Sequence, residues 1–346
     1  MSAPVPSARH RLLRWYNQEQ RDLPWRQTQD PYAIWIAETM LQQTQVKTVL
    51  PYYRRFLRAF ATLAALDRAP RQAVLALWSG LGYYRRAENL KRAARIMMRK
   101  HAGEIPRDFA ALRTLPGVGP YTAAALMSIA FQEPYLTLDG NARRVLARLF
   151  DVRKEKELRE IGGALISRSR PGDFNQALME LGSTVCLSRD PRCQACPVDQ
   201  FCAARRSGRY DWRGPSSTRR RVKEVDWPMA LIQRGGKVLL RRRPPDGLLG
   251  GLWEVPGGER KRGESLHASL TRHLEGLGRL APPLSYIGEV RHSITYRRIR
   301  APIFLCSGSG KRRLPDSIWR WVSFSALKSY PLSSLSRKAI ELVRKP

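Results

Sequence analysis

Cys186, Cys193, Cys196 and Cys202 stand in a C-x6-C-x2-C-x5-C run. Thiolates are metal ligands, and four within so short a stretch can converge on one centre. The spacing differs from the paired C-x2-C repeats of most zinc modules. A 4Fe-4S cluster is therefore the better reading, with a structural zinc ion or two disulfides as the alternatives. Cys306 lies apart, after the apolar Ile303-Phe304-Leu305, and reads as a buried, inert thiol.

Two carboxyls upstream stand out, and one of them has the setting for acid–base work. In Ile34-Trp35-Ile36-Ala37-Glu38-Thr39-Met40-Leu41-Gln42-Gln43-Thr44-Gln45-Val46, helical spacing puts Glu38 on one face with Ile34, Trp35, Leu41, Gln42 and Gln45. An apolar wall desolvates the carboxyl and raises its pKa, which suits a general acid; a hydrogen-bonded core carboxyl is the plainer alternative. Asp139, in Leu136-Thr137-Leu138-Asp139-Gly140-Asn141, is a second candidate, or an ordinary N-cap.

Between them lies Leu115-Pro116-Gly117-Val118-Gly119, followed by Pro120-Tyr121-Thr122 opening a helix. Gly117 and Gly119 allow a tight turn whose backbone N–H groups can hold a phosphate without reading a base, although such a turn can also simply join two packed helices. Leu81-Gly82-Tyr83-Tyr84-Arg85-Arg86 sets aromatic faces beside positive charge, a pattern for stacking on bases or for core packing.

These groups need a scaffold. Residues from about 8 to 185 show apolar positions at three- and four-residue intervals, punctuated by Pro and Gly, and predict an all-α domain over 8–204 that includes the cysteine loop 186–202. Residues 205–227, rich in Gly, Ser and Arg, read as a basic linker. Beyond it, Met229–Ile232, Lys237–Leu240 and Ala301–Leu305 read as strands around a helix near Ser265–Leu274, giving an α+β domain over 228–342.

The chain has 346 residues, with 62 Lys and Arg against 29 Asp and Glu, a formal charge of +33. Basic pairs such as Arg54-Arg55, Arg85-Arg86 and Arg143-Arg144 spread that charge over folded faces, so a polyanion, nucleic acid, is the expected partner. No apolar stretch is long enough to span a bilayer, so the chain is expected to be soluble and cytoplasmic, beside the nucleoid, with no membrane partner.

Together these parts resemble the helix-hairpin-helix DNA glycosylase superfamily across residues 10–205. Asp22-Leu23-Pro24-Trp25-Arg26 and Glu38 through Val46 look like its MutY-type adenine glycosylases. Endonuclease III relatives share the hairpin, the Asp and the cluster, but carry a Schiff-base lysine where this chain has Tyr121, so the resemblance implies a monofunctional enzyme. It implies removal of adenine paired with 8-oxoguanine, or guanine, from duplex DNA, by a monomer, after the adenine is flipped out of the stack.

In that family's terms, Glu38 would protonate the leaving base, Asp139 would stabilise the oxocarbenium-like sugar, and Tyr121 would bond Asp139 or the sugar. Asn141 would orient water, Arg26 and Trp25 would line the base pocket, and Gln43 and Tyr83 would fill and wedge the duplex. A bifunctional glycosylase for oxidised pyrimidines and a non-enzymatic lesion or iron–sulfur sensor are the competing functions.

Residues 228–342 resemble, more weakly, the MutT-like Nudix domain that this family appends to read 8-oxoguanine. Gly251-Leu252-Trp253-Glu254-Val255-Pro256-Gly257-Gly258-Glu259 is the clearest piece. The cation-holding carboxylates of a working Nudix core are replaced by His273, Gly276 and Leu277, too few oxygen ligands for Mg²⁺, so the domain should bind and not hydrolyse. On the expected lesion-reading loop, Thr295 keeps the family's hydroxyl.

Overall fold

The computed structural model describes residues 4–210, 222–244, 249–275, 277, 285–294, 296–307, 315 and 317–343. The chain packs as two compact units, Met1–Arg68 with Asn89–Ser217, and Ala69–Glu88 with Thr218–Pro346.

The first unit is helical. Asp30 caps the helix Pro31–Leu41 by accepting from the Tyr32 and Ala33 amides, with Pro31 at the first helical position, where its missing N–H costs nothing. The hairpin joins Phe109–Thr114 to Pro120–Ala125, which runs on into a π turn, Leu126–Ala130. Asp139 caps Gly140–Phe150, and Pro171–Thr184 packs along that helix, with Tyr16, Leu146, Phe174, Leu178 and Leu181 in a shared core.

A buried polar clamp sets the path into Asp139. The Asn175 side chain donates to Ser128 Oγ (2.8 Å) and the Tyr135 carbonyl (2.8 Å) and accepts from the Thr137 amide (3.0 Å). Both polar atoms of the Asn175 amide are thus matched, which ties the run 132–138 to the π turn.

Among the described residues of the second unit, seven strands form one mixed sheet: β1 Lys223–Asp226, β2 Met229–Arg234, β3 Lys237–Arg242, β4 Trp253–Glu254, β5 Ser285–Ile294, β6 Arg297–Ser307 and β7 Trp319–Ser323. β6 pairs parallel with β1 and β2 and antiparallel with β5; β3 pairs antiparallel with β2, β4 and β7. Along β2 the side chains alternate between two cores. Met229 and Leu231 join the core under the helix Ser334–Glu341, and Ala230 and Ile232 the core under Leu266–His273. A strand covered on both faces reads as a continuous apolar run, which is why β2 and β3 were visible in the sequence.

The expected linker is shorter than 205–227. Ala203–Ser207 is helical, and Lys223–Asp226 pairs with Arg297–Arg300, with Trp227 buried behind it. The basic composition hid an edge strand whose outer residues are solvated. Cys306 is buried on β6, as expected. Among the described residues no helix is long and apolar enough to cross a membrane.

Candidate active site

Glu38 projects from the middle of its helix and is 6% exposed, among Ile34, Trp35 and Ile36, each at 2% or less. Burial raises its pKa to about 7, with the nearby Asp139 carboxyl adding to the rise, while a hydrogen bond from Tyr121 and the charge of Arg26 oppose it. Tyr121, one position into the helix after the hairpin, is itself pushed well up by burial and by both carboxyls. Its hydroxyl bonds Glu38 and lies 3.5 Å from Met179 Sδ, whereas the sequence pointed to Asp139 or substrate as its partner.

Asp139 does cap a helix, accepting from the Ala142 amide through Oδ1 at 2.7 Å, but its other oxygen takes the Asn141 amide at 3.0 Å. Desolvation still raises its pKa, against those bonds and the charge of Arg144. Being an N-cap and facing the site are therefore compatible. Asn141 in turn accepts from Arg144, which also donates to the Gly182 and Cys186 carbonyls. Gly182 is required here, since a Cβ on it would meet Asn141 Cβ at 2.6 Å. Glu38, Tyr121, Asp139 and Asn141 are thus brought together.

Arg26 is nearly buried over the Tyr16 ring and donates to Glu180 at 2.6 Å, and Trp25 packs edge-on against Tyr53. Glu180, Met179, Gly182 and Arg144 were missed in the sequence. Glu180 carried no local signal, since the residues three and four positions away, Gln176, Ala177, Ser183 and Thr184, are mostly polar.

The helix bearing Glu38 stops at Leu41, so Gln42 and Gln45 do not extend its face. Gln42 lies in the following turn and bonds Thr122 (3.3 Å), and Gln45 precedes the next helix. The turn closes through Gln43, exposed and in the left-handed region at φ 55°, a conformation uncommon outside glycine. Gly117 also has positive φ (80°), and a Cβ there would meet Asn89 Cβ at 2.8 Å; Gly119 caps the next helix with open space where a side chain would be.

The second unit holds the remaining positions. Tyr83 is half exposed at φ 48°, its ring over the Arg86 guanidinium, which lies equally against Trp78 and donates to the Gly82 carbonyl. Burial lowers the Arg86 pKa to about 10. Glu264 is held by two nitrogens of Arg272 at 2.7 and 2.8 Å, and His273 sits against the Glu259 carbonyl. Thr295 and Gly276 lie outside the described residues.

The four cysteines line one cavity with Arg148, Val185, Pro191 and Arg205. Arg148 donates to Cys186 Sγ at 3.4 Å, and the Cys202 thiol lies 3.4 Å from the Arg148 carbonyl. Burial and the other three thiols push Cys196 up to about 12. Four mutually close thiols around one cavity, with arginines to offset negative charge, fit a cysteine-ligated metal group; among the described residues no three acidic, His or Cys groups close to the spacing of a single-ion site.

The chain matches the HhH-GPD superfamily of base excision DNA repair proteins over residues 36–167 and a NUDIX domain over 228–342. The helical unit is similar to a thermostable thymine-DNA glycosylase, at 31% identity and TM-score 0.56 over 59% of this chain and 97% of that one. It shares the fold of endonuclease III in a non-covalent DNA complex, at 22% identity and TM-score 0.52 over 59% and 96% of the two chains. Over 98% of its length the whole chain is 33% identical to the Rattus norvegicus adenine DNA glycosylase and 34% identical to that of Homo sapiens, spanning 78% and 74% of those proteins. Helices that gather two buried carboxyls beside a hairpin, a cysteine loop and a NUDIX domain in one chain place it, with these relatives, in the adenine DNA glycosylase family, enzymes that hydrolyse the N-glycosidic bond of adenine in DNA.

Proposed function

We propose that the substrate is adenine mispaired with 8-oxoguanine, and secondarily with guanine, in duplex DNA, and that the enzyme acts as a monomer without cutting the strand. The observation carrying this reading is the pair of buried carboxyls, Glu38 and Asp139, with the Tyr121 hydroxyl and, among the described residues, no lysine acting on them.

Adenine must leave the stack to reach so enclosed a carboxyl. Glu38, protonated up to about pH 7, donates its proton to a ring nitrogen of the departing base. The glycosidic electron pair goes with adenine, and the sugar is left an oxocarbenium ion, stabilised by the Asp139 carboxylate. Water, oriented by Asn141, adds to the anomeric carbon and loses its proton to Asp139. Tyr121 steadies the Glu38 carboxyl through its hydroxyl. With no amine in this position, no Schiff base forms and the phosphodiester survives.

Arg26 and Trp25 line the base pocket, Gln43 and Tyr83 enter the duplex, and the amides around Gly117 and Gly119 hold a backbone phosphate. Cys186, Cys193, Cys196 and Cys202 hold a 4Fe-4S cluster, which fixes the loop in place. The NUDIX-type half reads the 8-oxoguanine strand, with Thr295 as the contact proposed from the sequence.

The test is single-turnover incubation with duplexes carrying adenine opposite 8-oxoguanine, adenine opposite guanine, or thymine glycol opposite adenine. Base release is scored with and without later alkali. Cleavage of the first two only after alkali is expected, and strand breaks without alkali or release of thymine glycol would overturn the reading.

A further inference from the structure

We infer that Glu180 is a positioning residue of the pocket, whose carboxylate locks the Arg26 guanidinium in one place and neutralises it there. The inference rests on the reading of Glu38 as general acid.

Glu180 has no exposed side-chain surface, and Arg26 has 8%. Both carboxylate oxygens are used. Oε1 accepts from Arg21 Nε at 2.6 Å, and Oε2 accepts from Arg21 (2.8 Å) and from Arg26 (2.6 Å). Arg26 is held from two further sides, donating to the Arg21 carbonyl at 3.2 Å and covering the Tyr16 ring with its centre 5.3 Å away. A residue 154 positions away in sequence therefore fixes the guanidinium. A carboxylate buried this completely persists only because it is paired twice, and it stays ionised, its pKa lowered by Arg21 and Arg26 against the opposing desolvation.

The consequence reaches Glu38. The groups that act on its carboxyl are the Tyr121 hydroxyl, Asp139 and Arg26; those around Glu180 are Arg21, Arg26, Ser183 and Tyr16, with Asp173 and Arg170 also acting on Tyr16. A bare guanidinium beside Glu38 would favour its ionised form, the wrong one for an acid. Glu180 lets the pocket keep the guanidinium while offsetting part of the pull that Arg26 still exerts on the acid. Arg21, 43% exposed, completes the anchor from the solvent side.

The experiment uses the full chain labelled with ¹³C at glutamate carboxyls, the Glu38 signal being assigned by its loss in E38Q. E180Q is expected to lower the Glu38 pKa by about one unit, and the single-turnover rate at pH 8 by about tenfold beyond any change at pH 6. The double variant E180Q/R26M should bring the Glu38 pKa back toward the wild-type value. R26M alone, in which Glu180 keeps Arg21, should move it by only a few tenths of a unit. A folded E180Q with an unmoved Glu38 pKa, or a rise of a unit in R26M, would overturn the inference. If the carboxyl pKa shifts as expected while the pH–rate profile stays put, Glu180 keeps its role and the assignment of Glu38 as the acid falls instead.

Discussion

In the helical unit Glu38 and Asp139 are buried and pushed toward the protonated form, whereas in the sheet unit Glu264 is clamped by Arg272 and Asp226 by Arg260 and Arg300, and both are driven toward the ionised form. Desolvation is the larger influence on the first pair, and hydrogen bonds from guanidinium groups are the larger influence on the second. The same functional group is thus poised for proton transfer in one half and turned into scaffold in the other. A carboxylate already bonded through both oxygens, as Glu264 is, has little left to offer a divalent cation. The contrast supports the proposal that one chain carries an enzyme and a hydrolase-like domain that binds without hydrolysing.

The sharpest way to break this contrast is D139N. Removing the charge that faces the cationic transition state should lower base release by at least about 10²–10³-fold while gel-shift affinity for the mispair is kept. E38Q should act alike. Near-full turnover in D139N would reduce Asp139 to its capping role.

The pH profile comes next. Glu38 must be protonated to act, so the single-turnover rate should fall about tenfold per unit as pH rises beyond about 7. The same raised pKa makes the fold bind a proton that the unfolded chain releases between its ordinary carboxyl pKa and about 7. That contribution to stability is present at low pH and is lost as pH rises through the window, the reverse of Glu264. For Glu264, pulled down to about 2 by Arg272, the contribution is present above the ordinary range and fades as pH falls toward 2. It is small, because the pair is solvated. Urea midpoints of wild type, E38Q and E264Q between about pH 2.5 and 8 would separate the two signs.

C193S should give protein with less iron, a lower melting temperature and weaker DNA binding, while the pH dependence of the remaining activity is unchanged. Stoichiometric zinc with no iron in the wild type would replace the cluster by a structural ion. Log affinity for duplex DNA should fall with log salt at a slope of about −0.9 per phosphate contacted, and a flat response would contradict the charge argument. Smallest of all should be the effect of Mg²⁺. The full chain is expected to hydrolyse no 8-oxo-dGTP, and metal-dependent turnover would mean that Glu264 can leave Arg272.

The elements legible in the sequence were those whose pattern is local. Glu38 could be aimed into an apolar wall because its neighbours repeat at helical spacing, and β2 and β3 stood out because both faces are covered. The helix end at Leu41 was not legible, since it depends on a left-handed glutamine. β1 was lost in a basic stretch and β5 in a half-exposed alternation. Glu180 was missed for another reason. Its two partners lie 154 and 159 residues away, and nothing local marks an acid as paired.

The segment Ala69–Glu88 falls within the stretch matched to the glycosylase superfamily but packs with the C-terminal half. Ser79 donates to the Leu332 carbonyl at 2.6 Å and accepts from Arg337, and Tyr84 reaches the same carbonyl at 3.4 Å. A protease nick or stop codon at the basic stretch near Lys223 would therefore not release two self-sufficient pieces. The N-terminal fragment would keep every carboxyl and cysteine of the chemistry, yet Ser79 and Tyr84 would lose the bonds that now seat the turn carrying Tyr83. A loop of the stretch matched to the glycosylase superfamily is thus held in place by a residue 248 to 253 positions downstream.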